Sequence, residues 1–267
     1  MCMLPGIFVR FIIFLNLVQS KSNVMTKRNF IFLIFIFSGI ISFAQKENSE
    51  AKPQFYLNIS SGIWSSELIE LNQHLLKNDY RKMNPMFMAG SAGFLVTDKS
   101  GRFFTKLNYA TMYSESAYLK NQAWMEAYIL SADWAYKIIH NYKGKIKKNP
   151  GLDISDIGFS LYPFIGFDIS DYTLGLYQRD SLNADLINLT GEKTFSSNTC
   201  VSAELGFGME YGLNLSKLDL LFGMNIGYAY SFNSINWFDI IGEKANYLNS
   251  DRMKGFRLEV STSFKFW

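Results

Sequence analysis

Residues 201–232 alternate between two unlike faces along almost their whole length. One phase carries large apolar side chains such as Phe207 and Phe222, whereas the other carries Glu204 and several glycines. A short polar stretch at residues 214–217 interrupts the pattern, which then resumes. A period of two over segments this long predicts a β-hairpin whose faces contact different surroundings.

The composition favours strands in the rest of the chain as well. The 267 residues are 48% hydrophobic and 16% aromatic, with only 5 prolines, a mixture that fits strands better than helices. The positive net charge of +3 arises near the start, because residues 1–44 contain basic residues and no acidic residue. The remaining region is close to neutral, so we expect no nucleic-acid partner.

A segment near the start has the pattern of an export signal. Lys27 and Arg28 precede an apolar run at residues 30–41, and Ala44 follows as a small residue of the kind that a signal peptidase reads. This pattern predicts a signal peptide at residues 25–44, cleaved after Ala44.

The signal peptide divides the chain into three parts. We interpret residues 1–24 as an over-called extension that precedes a true start at Met25, and the alternative is an inner-membrane anchor. Residues 45–267 form the predicted mature region. This region contains no run of about twenty apolar residues, so we expect no transmembrane helix in it.

Alternation like that of residues 201–232 recurs along the mature region and predicts eight strands. Their approximate bounds are residues 55–64, 86–97, 102–113, 123–137, 157–169, 201–212, 218–231 and 252–266. An even number of strands with alternating long and short connections is typical of outer-membrane barrels. The predicted fold is therefore all-β, an eight-stranded antiparallel up-and-down transmembrane β-barrel with long extracellular loops.

The connections predict which end of the barrel faces outside the cell. With both termini in the periplasm, the first, third, fifth and seventh connections are extracellular. The first, residues 65–85, has the apolar spacing of a short helix within a structured loop. The fifth, residues 170–198, is the longest and is predicted to be irregular. The connection at residues 138–156 is longer than a periplasmic turn should be.

Alternation alone does not say which face points outward. A secreted lipocalin-like barrel has its apolar face inside, and residues 62–64 match the short G-x-W pattern of lipocalins. The predicted strands, at about 11–16 residues, are longer than the usual 5–6. Trp124 and Trp134 would differ in height across the membrane by roughly 25 Å on a tilted strand, which matches a bilayer-facing apolar band. We therefore predict lipid outside, although Glu126 shares the phase of Trp124.

Two groups of residues follow from this orientation. The predicted aromatic girdle at the membrane interfaces comprises Trp124, Trp134, Tyr109, Tyr211, Tyr228 and Phe266. The predicted polar network inside the barrel comprises Lys106, Glu204, Glu210, Arg257 and Glu259. Buried charges need partners of opposite sign, and the interior of an eight-stranded barrel is narrow enough for side chains to fill. A wide aqueous pore is therefore not expected.

The C-terminal residues carry a family resemblance. Phe264, Lys265, Phe266 and Trp267 end the chain on alternating aromatic residues, which resembles the terminal signal of bacterial outer-membrane β-barrel proteins. Residues 45–267 resemble the small eight-stranded OmpA/OmpX-like group, although the outward phase ends at Phe266 and leaves Trp267 as an extra residue. The resemblance implies residence in the outer membrane of a Gram-negative bacterium and insertion by the barrel-assembly machinery.

Candidates for catalysis or ligand binding are few. The two histidines, His74 and His140, fall outside the predicted strands and are interpreted as solvated loop residues. Lipid-modifying barrel enzymes use a histidine with a nearby serine and an acid, but the residues after His140 do not form the His-x-Ser of the barrel deacylases. Asp133 and Asp168 could pair with Glu204 or Glu210 in acid–base chemistry, and a structural salt-bridge network with Lys106 and Arg257 is the preferred interpretation.

The cysteines and glycines predict no cofactor site. Cys2 lies before the predicted cleavage site, so Cys200 can form no internal disulfide and is expected to be buried at the start of a strand. Gly206, Gly208 and Gly212 lie within one strand and precede no helix, so they form no phosphate-binding loop.

The sequence leaves several functions open. The first hypothesis is a non-enzymatic barrel that acts through its surface loops in envelope structure, adhesion or an envelope or secretion assembly, with outer-membrane lipid and possible envelope proteins as partners. The alternatives are a narrow channel for ions or small solutes, a lipid-modifying barrel enzyme and a secreted lipocalin-like binder.

Overall fold

The computed structural model describes residues 53–66, 68–98, 100–116, 121–141, 154–179, 189–215, 218–248 and 250–266. The predicted extension at 1–24, the signal peptide at 25–44 and Trp267 lie outside the described residues. Within the described ranges, no helix has the length and apolar character needed to span a membrane.

One helix and eleven strands make up this part of the chain. They are β1 (Gln54–Ser65), α1 (Ile69–Lys77), β2 (Met86–Thr97), β3 (Phe103–Glu115), β4 (Asn121–Tyr136), β5 (Ile139–Asn141), β6 (Ile154–Arg179), β7 (Leu189–Ser197), β8 (Cys200–Leu215), β9 (Leu218–Ser231), β10 (Trp237–Phe238) and β11 (Lys254–Phe266).

Eight of these strands close into an antiparallel barrel. The strand order is β6, β4, β3, β2, β1, β11, β9 and β8, and β8 pairs with β6 to close the ring. We call the end that carries Gln54 and Phe266 the terminal end, and the end that carries Ser65 and Lys254 the loop end. The predicted closed eight-stranded antiparallel barrel is confirmed.

The two faces of each strand meet opposite surroundings. On β8 the side chain of Phe207 is 62% exposed, whereas Glu204, in the opposite phase of the same strand, is only 8% exposed. The same relation holds on β1, where Phe55 and Ile59 are exposed and Asn58 is fully buried. The apolar phase therefore points outward and the polar phase inward, so the lipocalin-like arrangement is wrong for this chain.

The fifth connection differs from its prediction. Residues 170–198 were expected to be irregular, but β6 continues as far as Arg179 and forms a hairpin with β7. The reason is that the alternation does not stop at residue 169, since Tyr172, Leu174 and Leu176 remain buried on the inward face. The sheet thus extends beyond the closed barrel at the loop end, where β10 adds two further residues to β7.

The interior is layered along the barrel. At the loop end, α1 and the segment before β11 pack onto the inward faces of the strands in a hydrophobic core that includes Leu71, Leu75, Trp237 and Leu248. At the terminal end, a second apolar cluster is built by Tyr56, Leu95, Phe104, Ala135, Tyr162, Phe164 and Leu221. Arg257, Lys106 and their carboxylate partners lie between these two apolar layers, whereas the Lys137–Glu210 and Lys265–Asp219 pairs lie at the terminal end. Side chains therefore fill the lumen from the loop end to the terminal end.

Candidate functional site

Arg257 is the centre of the charged interior. From β11 its Nη1 reaches across the lumen to β8, where it lies 2.7 Å from Glu204 Oε2, and it also pairs with Asp168 on β6. Its guanidinium carbon lies 3.7 Å from the centroid of the Trp64 ring on β1, a cation–π contact. One side chain thus connects four strands, and two carboxylates depend on it for their counter-charge.

Lys106 makes the second cross-lumen pair. This lysine of β3 is buried and pairs with Glu259 of β11. Asn225 Nδ2 donates to the same Glu259 carboxylate at 3.3 Å, and the Tyr162 hydroxyl donates to Asn225 Oδ1 at 2.8 Å. A hydrogen-bonded chain therefore runs from the charged layer into the apolar cluster at the terminal end.

Glu210 has a partner that the sequence analysis did not name. Its Oε1 lies 2.6 Å from Nζ of Lys137, whereas Lys106 and Arg257 are taken by other carboxylates. The expected pairing of Glu210 with Lys106 or Arg257 is therefore wrong. The sequence did contain a sign that Lys137 points into the barrel, because Lys137 continues the inward phase of β4 two residues beyond Ala135.

The carboxylates of the interior act as counter-ions. Asp168, Glu204, Glu210 and Glu259 each hold a lysine or arginine, and Asp133 lies opposite Lys106 in the strand register. Buried ions require such partners because desolvation is costly. Within the described ranges, no group of three or more histidine, cysteine or acidic side chains could hold a metal ion.

The glycines of β8 make room for the inward side chains of neighbouring strands. A side chain at Gly206 would overlap the Phe164 ring, and one at Gly208 would overlap Tyr162 and Asn225. Both rings belong to the apolar cluster or to the hydrogen-bonded chain beneath the charged layer. These glycines therefore permit close packing of the lumen.

Neither histidine is a solvated loop residue as predicted. His74 lies on α1, where its Nε2 is 3.2 Å from Asn78 Nδ2 and its ring lies 5.9 Å from that of Tyr247. Burial, followed by the charge of Lys77, lowers its pKa. His140 lies in β5, paired with β6, and its Nδ1 is 2.9 Å from Ser160 Oγ. The position of His140 was missed because β5 is too short to show a period, whereas the helical spacing around His74 was recognised but did not predict its contacts.

The lumen is covered at the loop end by a structured cap, formed by α1 with its flanking residues 68–85 and by residues 232–248. Leu71 and Leu75 of the helix are fully buried in the hydrophobic core between the cap and the strands. The helix receives its N-terminal cap from a distant residue, since Asp251 accepts hydrogen bonds from the amides of Leu71 at 2.7 Å and Glu70 at 3.2 Å. A carboxylate at this position satisfies amides that have no partner within the helix.

A turn of the cap at residues 239–243 exposes two apolar side chains. Ile240 is 88% exposed and Ile241 is 75% exposed. The turn is held by Asp239, whose Oδ1 accepts hydrogen bonds from the amides of Ile241 and Glu243 at 3.0 and 2.9 Å. The exposed pair is thus presented on an ordered turn.

The predicted girdle residues lie on the outer wall. Tyr211 and Tyr228 are exposed, and Tyr109, Trp124 and Trp134 are partly buried by their neighbours. Several pack against other aromatic rings of the wall, including the stacked pair Tyr109–Tyr128 and the edge contacts Trp134–Phe167 and Tyr228–Phe256. The side chain of Phe266 is outside the described residues, and the girdle's contact with membrane interfaces stays a prediction.

The surroundings of the barrel follow from its two faces. The wall exposes a continuous set of large apolar side chains, while lysine, arginine and carboxylate groups are buried inside. In water such an apolar surface would be unfavourable, whereas a hydrocarbon phase accepts it. Each of the eight described ring strands pairs with a neighbour on both sides, and such pairing is what a bilayer requires of a backbone. This is the architecture of an outer-membrane β-barrel.

Comparisons with known proteins find similar solved structures. A major outer membrane protein from Thermus thermophilus is 14% identical, with a TM-score of 0.45 over 79% of this chain and 98% of that chain. Neisserial surface protein A is 12% identical, with a TM-score of 0.35 over 80% of this chain and 99% of that chain. Ail, the attachment invasion locus protein of Yersinia pestis, is 12% identical, with a TM-score of 0.39 over 79% of this chain and 99% of that chain.

Other comparisons give no match. No protein-family model and no curated protein matches the chain. The fold described here therefore rests on the chain's own strand pairing and on the burial of its side chains.

Proposed function

We propose that this chain is a non-enzymatic outer-membrane barrel with a filled lumen, which acts through the cap at its loop end. A single observation carries the proposal: the cap packs on the inward faces of the strands through a large hydrophobic core and carries an ordered turn with two exposed isoleucines. A loop with no role beyond connecting two strands needs only a few residues.

The proposed orientation has the cap outside the cell and both termini in the periplasm. Outer-membrane barrels carry longer connections outside and short turns inside, and the turn from β2 to β3 at the terminal end is short. A cleaved signal peptide at 25–44 and insertion by the barrel-assembly machinery through β11 belong to the same proposal. The partners would then be outer-membrane lipid at the wall and envelope or extracellular proteins at the cap.

Cysteine labelling in intact cells tests this orientation. Ile240→Cys places a thiol on the cap, and Ser100→Cys places one in the turn at the terminal end. A membrane-impermeant maleimide should label the first variant and not the second, and the parent protein should stay unlabelled because Cys200 is fully buried. Labelling of Ser100→Cys alone would overturn the proposal.

Conductance tests the filled lumen. Four ion-paired groups and two apolar clusters occupy the described interior, so purified protein in a planar bilayer should show no discrete channel openings. Reproducible single-channel currents would favour the alternative of a narrow channel.

A lipid-modifying hydrolase is a second candidate because of one contact, the 2.9 Å separation between His140 Nδ1 and Ser160 Oγ. A nucleophile must reach its substrate, however, and Ser160 is only 3% exposed. We therefore expect no labelling by a fluorophosphonate probe. Labelling that is lost in Ser160→Ala would favour the enzyme.

A further inference from the structure

A cavity of about 290 Å³ opens on the outer wall of the barrel near the loop end. It lies where the end of β3, the start of β4 and the end of β6 meet, and its lining includes Tyr113, Glu115, Gln122, Trp124, Glu126 and Tyr177. Small-molecule sites typically have volumes of about 300–1,000 Å³. The cavity therefore suits a ligand of one or two small rings better than a peptide segment.

The cavity contains a flat aromatic surface. The rings of Tyr113 and Trp124 are stacked at 6.4 Å with an interplanar angle of 23°. Gly175 on β6 provides the room for the indole, because any side chain at that position would overlap it. The indole nitrogen of Trp124 is buried and has no hydrogen-bond partner among the described residues. The nitrogen edge of the indole is covered by Gly175, so β6 holds the Trp124 ring in place beside the cavity.

The polar part of the lining has one sign of charge. Glu115 accepts a hydrogen bond from the Tyr113 hydroxyl at 2.9 Å, Glu126 supplies a second carboxylate, and the described lining contains no lysine or arginine. Ionised carboxylates only accept hydrogen bonds, so a ligand must offer hydroxyl or ammonium donors. Phosphate and sulfate groups would be repelled.

The same carboxylates restrict the depth of the cavity. Charged side chains on the lipid-facing wall are strongly unfavourable at the bilayer midplane and tolerated near the interfaces. Glu115 and Glu126 therefore belong at or above the head-group level, where hydroxyl-rich molecules are present. The position of the cavity and its chemistry thus agree.

We propose that this cavity binds one sugar unit of a glycan, either neutral or amino-substituted. The C–H face of the sugar would lie against Trp124 and Tyr113, since aromatic faces attract weakly positive hydrogens. Its hydroxyl or ammonium groups would donate to Glu115 and Glu126. The site lies on the barrel wall, so its occupation does not depend on the function proposed for the cap.

The test uses the folded protein in phospholipid nanodiscs prepared without sugar detergents. Free methyl β-glucoside, glucosamine and glucose 6-phosphate are compared by saturation-transfer NMR. In a second arm, monoglucosyl diacylglycerol is incorporated into the nanodiscs and its retention by the protein is measured by native mass spectrometry. Binding in the first arm identifies a soluble glycan as the source, and binding only in the second identifies a membrane glycolipid.

Variants decide whether the signal comes from the cavity. Trp124→Ala and Gly175→Leu should each reduce binding at least tenfold, whereas the matched Trp134→Ala on the same strand should leave it unchanged. Glu126→Gln should weaken glucosamine more than methyl β-glucoside. Heat-modifiable gel migration shows that each variant is folded. No binding in either arm, equal effects of Trp124→Ala and Trp134→Ala, or preferential binding of glucose 6-phosphate would overturn the proposal.

Discussion

At the scale of single residues, stability depends on the partners of buried charges. Arg257 compensates both Asp168 and Glu204 and also packs on Trp64. An isolated charge inside a barrel loses its hydration without compensation, so removal of one partner costs more than the pair itself contributes. The loss of stability is therefore expected to be largest where one cation compensates two carboxylates.

We expect Arg257→Gln to lower the free energy of unfolding by about 3–5 kcal/mol, the typical cost of breaking a buried pair. Equilibrium urea unfolding in lipid vesicles measures it. The matched control is Arg252→Gln, because Arg252 is exposed and its contacts among the described residues are the Tyr230 hydroxyl at 2.8 Å and Ser234 Oγ at 3.5 Å. A surface change of this kind should stay within about 0.5 kcal/mol. Equal losses in the two variants would contradict the role given to Arg257.

At the scale of elements, the cap depends on a contact between α1 and a residue far away in sequence. Asp251 precedes β11, yet its carboxylate binds the first amides of α1. The residue before the helix, Leu68, offers no side-chain cap. A helix as short as α1 is marginal in isolation, so α1 forms because its apolar face is buried and its N-terminus is satisfied from outside.

This contact predicts an unusual pH dependence. Burial raises the pKa of Asp251 above the usual 3.8, and the hydrogen bonds from Leu71 and Glu70 only partly offset it. The folded cap therefore binds a proton more tightly than the unfolded cap does, and its stability should rise as the pH falls through the raised pKa toward about 3.8. Hydrogen exchange of the α1 amides, corrected for intrinsic rates, measures this stability.

The control for the pH dependence is Asp251→Asn, which keeps an acceptor and does not titrate. In this variant the protection of the α1 amides from hydrogen exchange should not rise on acidification, as it does in the parent protein. Asp251→Ala removes the acceptor and should cost the cap about 1 kcal/mol at neutral pH, a typical value for a lost N-terminal cap. If the protection of the α1 amides in the parent protein fell steadily on acidification, the predicted rise in cap stability would be wrong.

At the scale of the whole molecule, the apolar wall sets where the barrel is stable. Phe207 lies near the middle of β8 and points outward, whereas Val201 points outward close to the loop end. A lipid-facing charge is penalised by depth. The two positions thus compare the same change at two depths on one strand.

We expect Phe207→Arg to destabilise the barrel by about 2–4 kcal/mol and Val201→Arg by about 0–1 kcal/mol, the values typical of the midplane and the interface. Urea unfolding of protein inserted in phospholipid vesicles measures both. Similar small losses at the two positions would mean that the wall does not face hydrocarbon.

The sequence by itself determined the strands and their faces. The alternation in residues 201–232 assigned Phe207 and Glu204 to opposite sides, because a period of two is a local property of an extended chain. The buried position of Cys200 at the start of β8 was also predicted, from the tendency of an unpaired cysteine to be buried. The outward direction of the apolar face was inferred from strand length and aromatic spacing, and the structure agrees.

Only the tertiary structure decided which inward groups meet. Lys137 faces Glu210 and Asp251 caps α1 because the strand register and the closure of the ring bring these residues together. Contacts across a lumen join residues that are far apart in sequence, and no local period encodes the stagger between strands. Alternation therefore separates the inside from the outside of the barrel, whereas closure of the ring selects the partners within it.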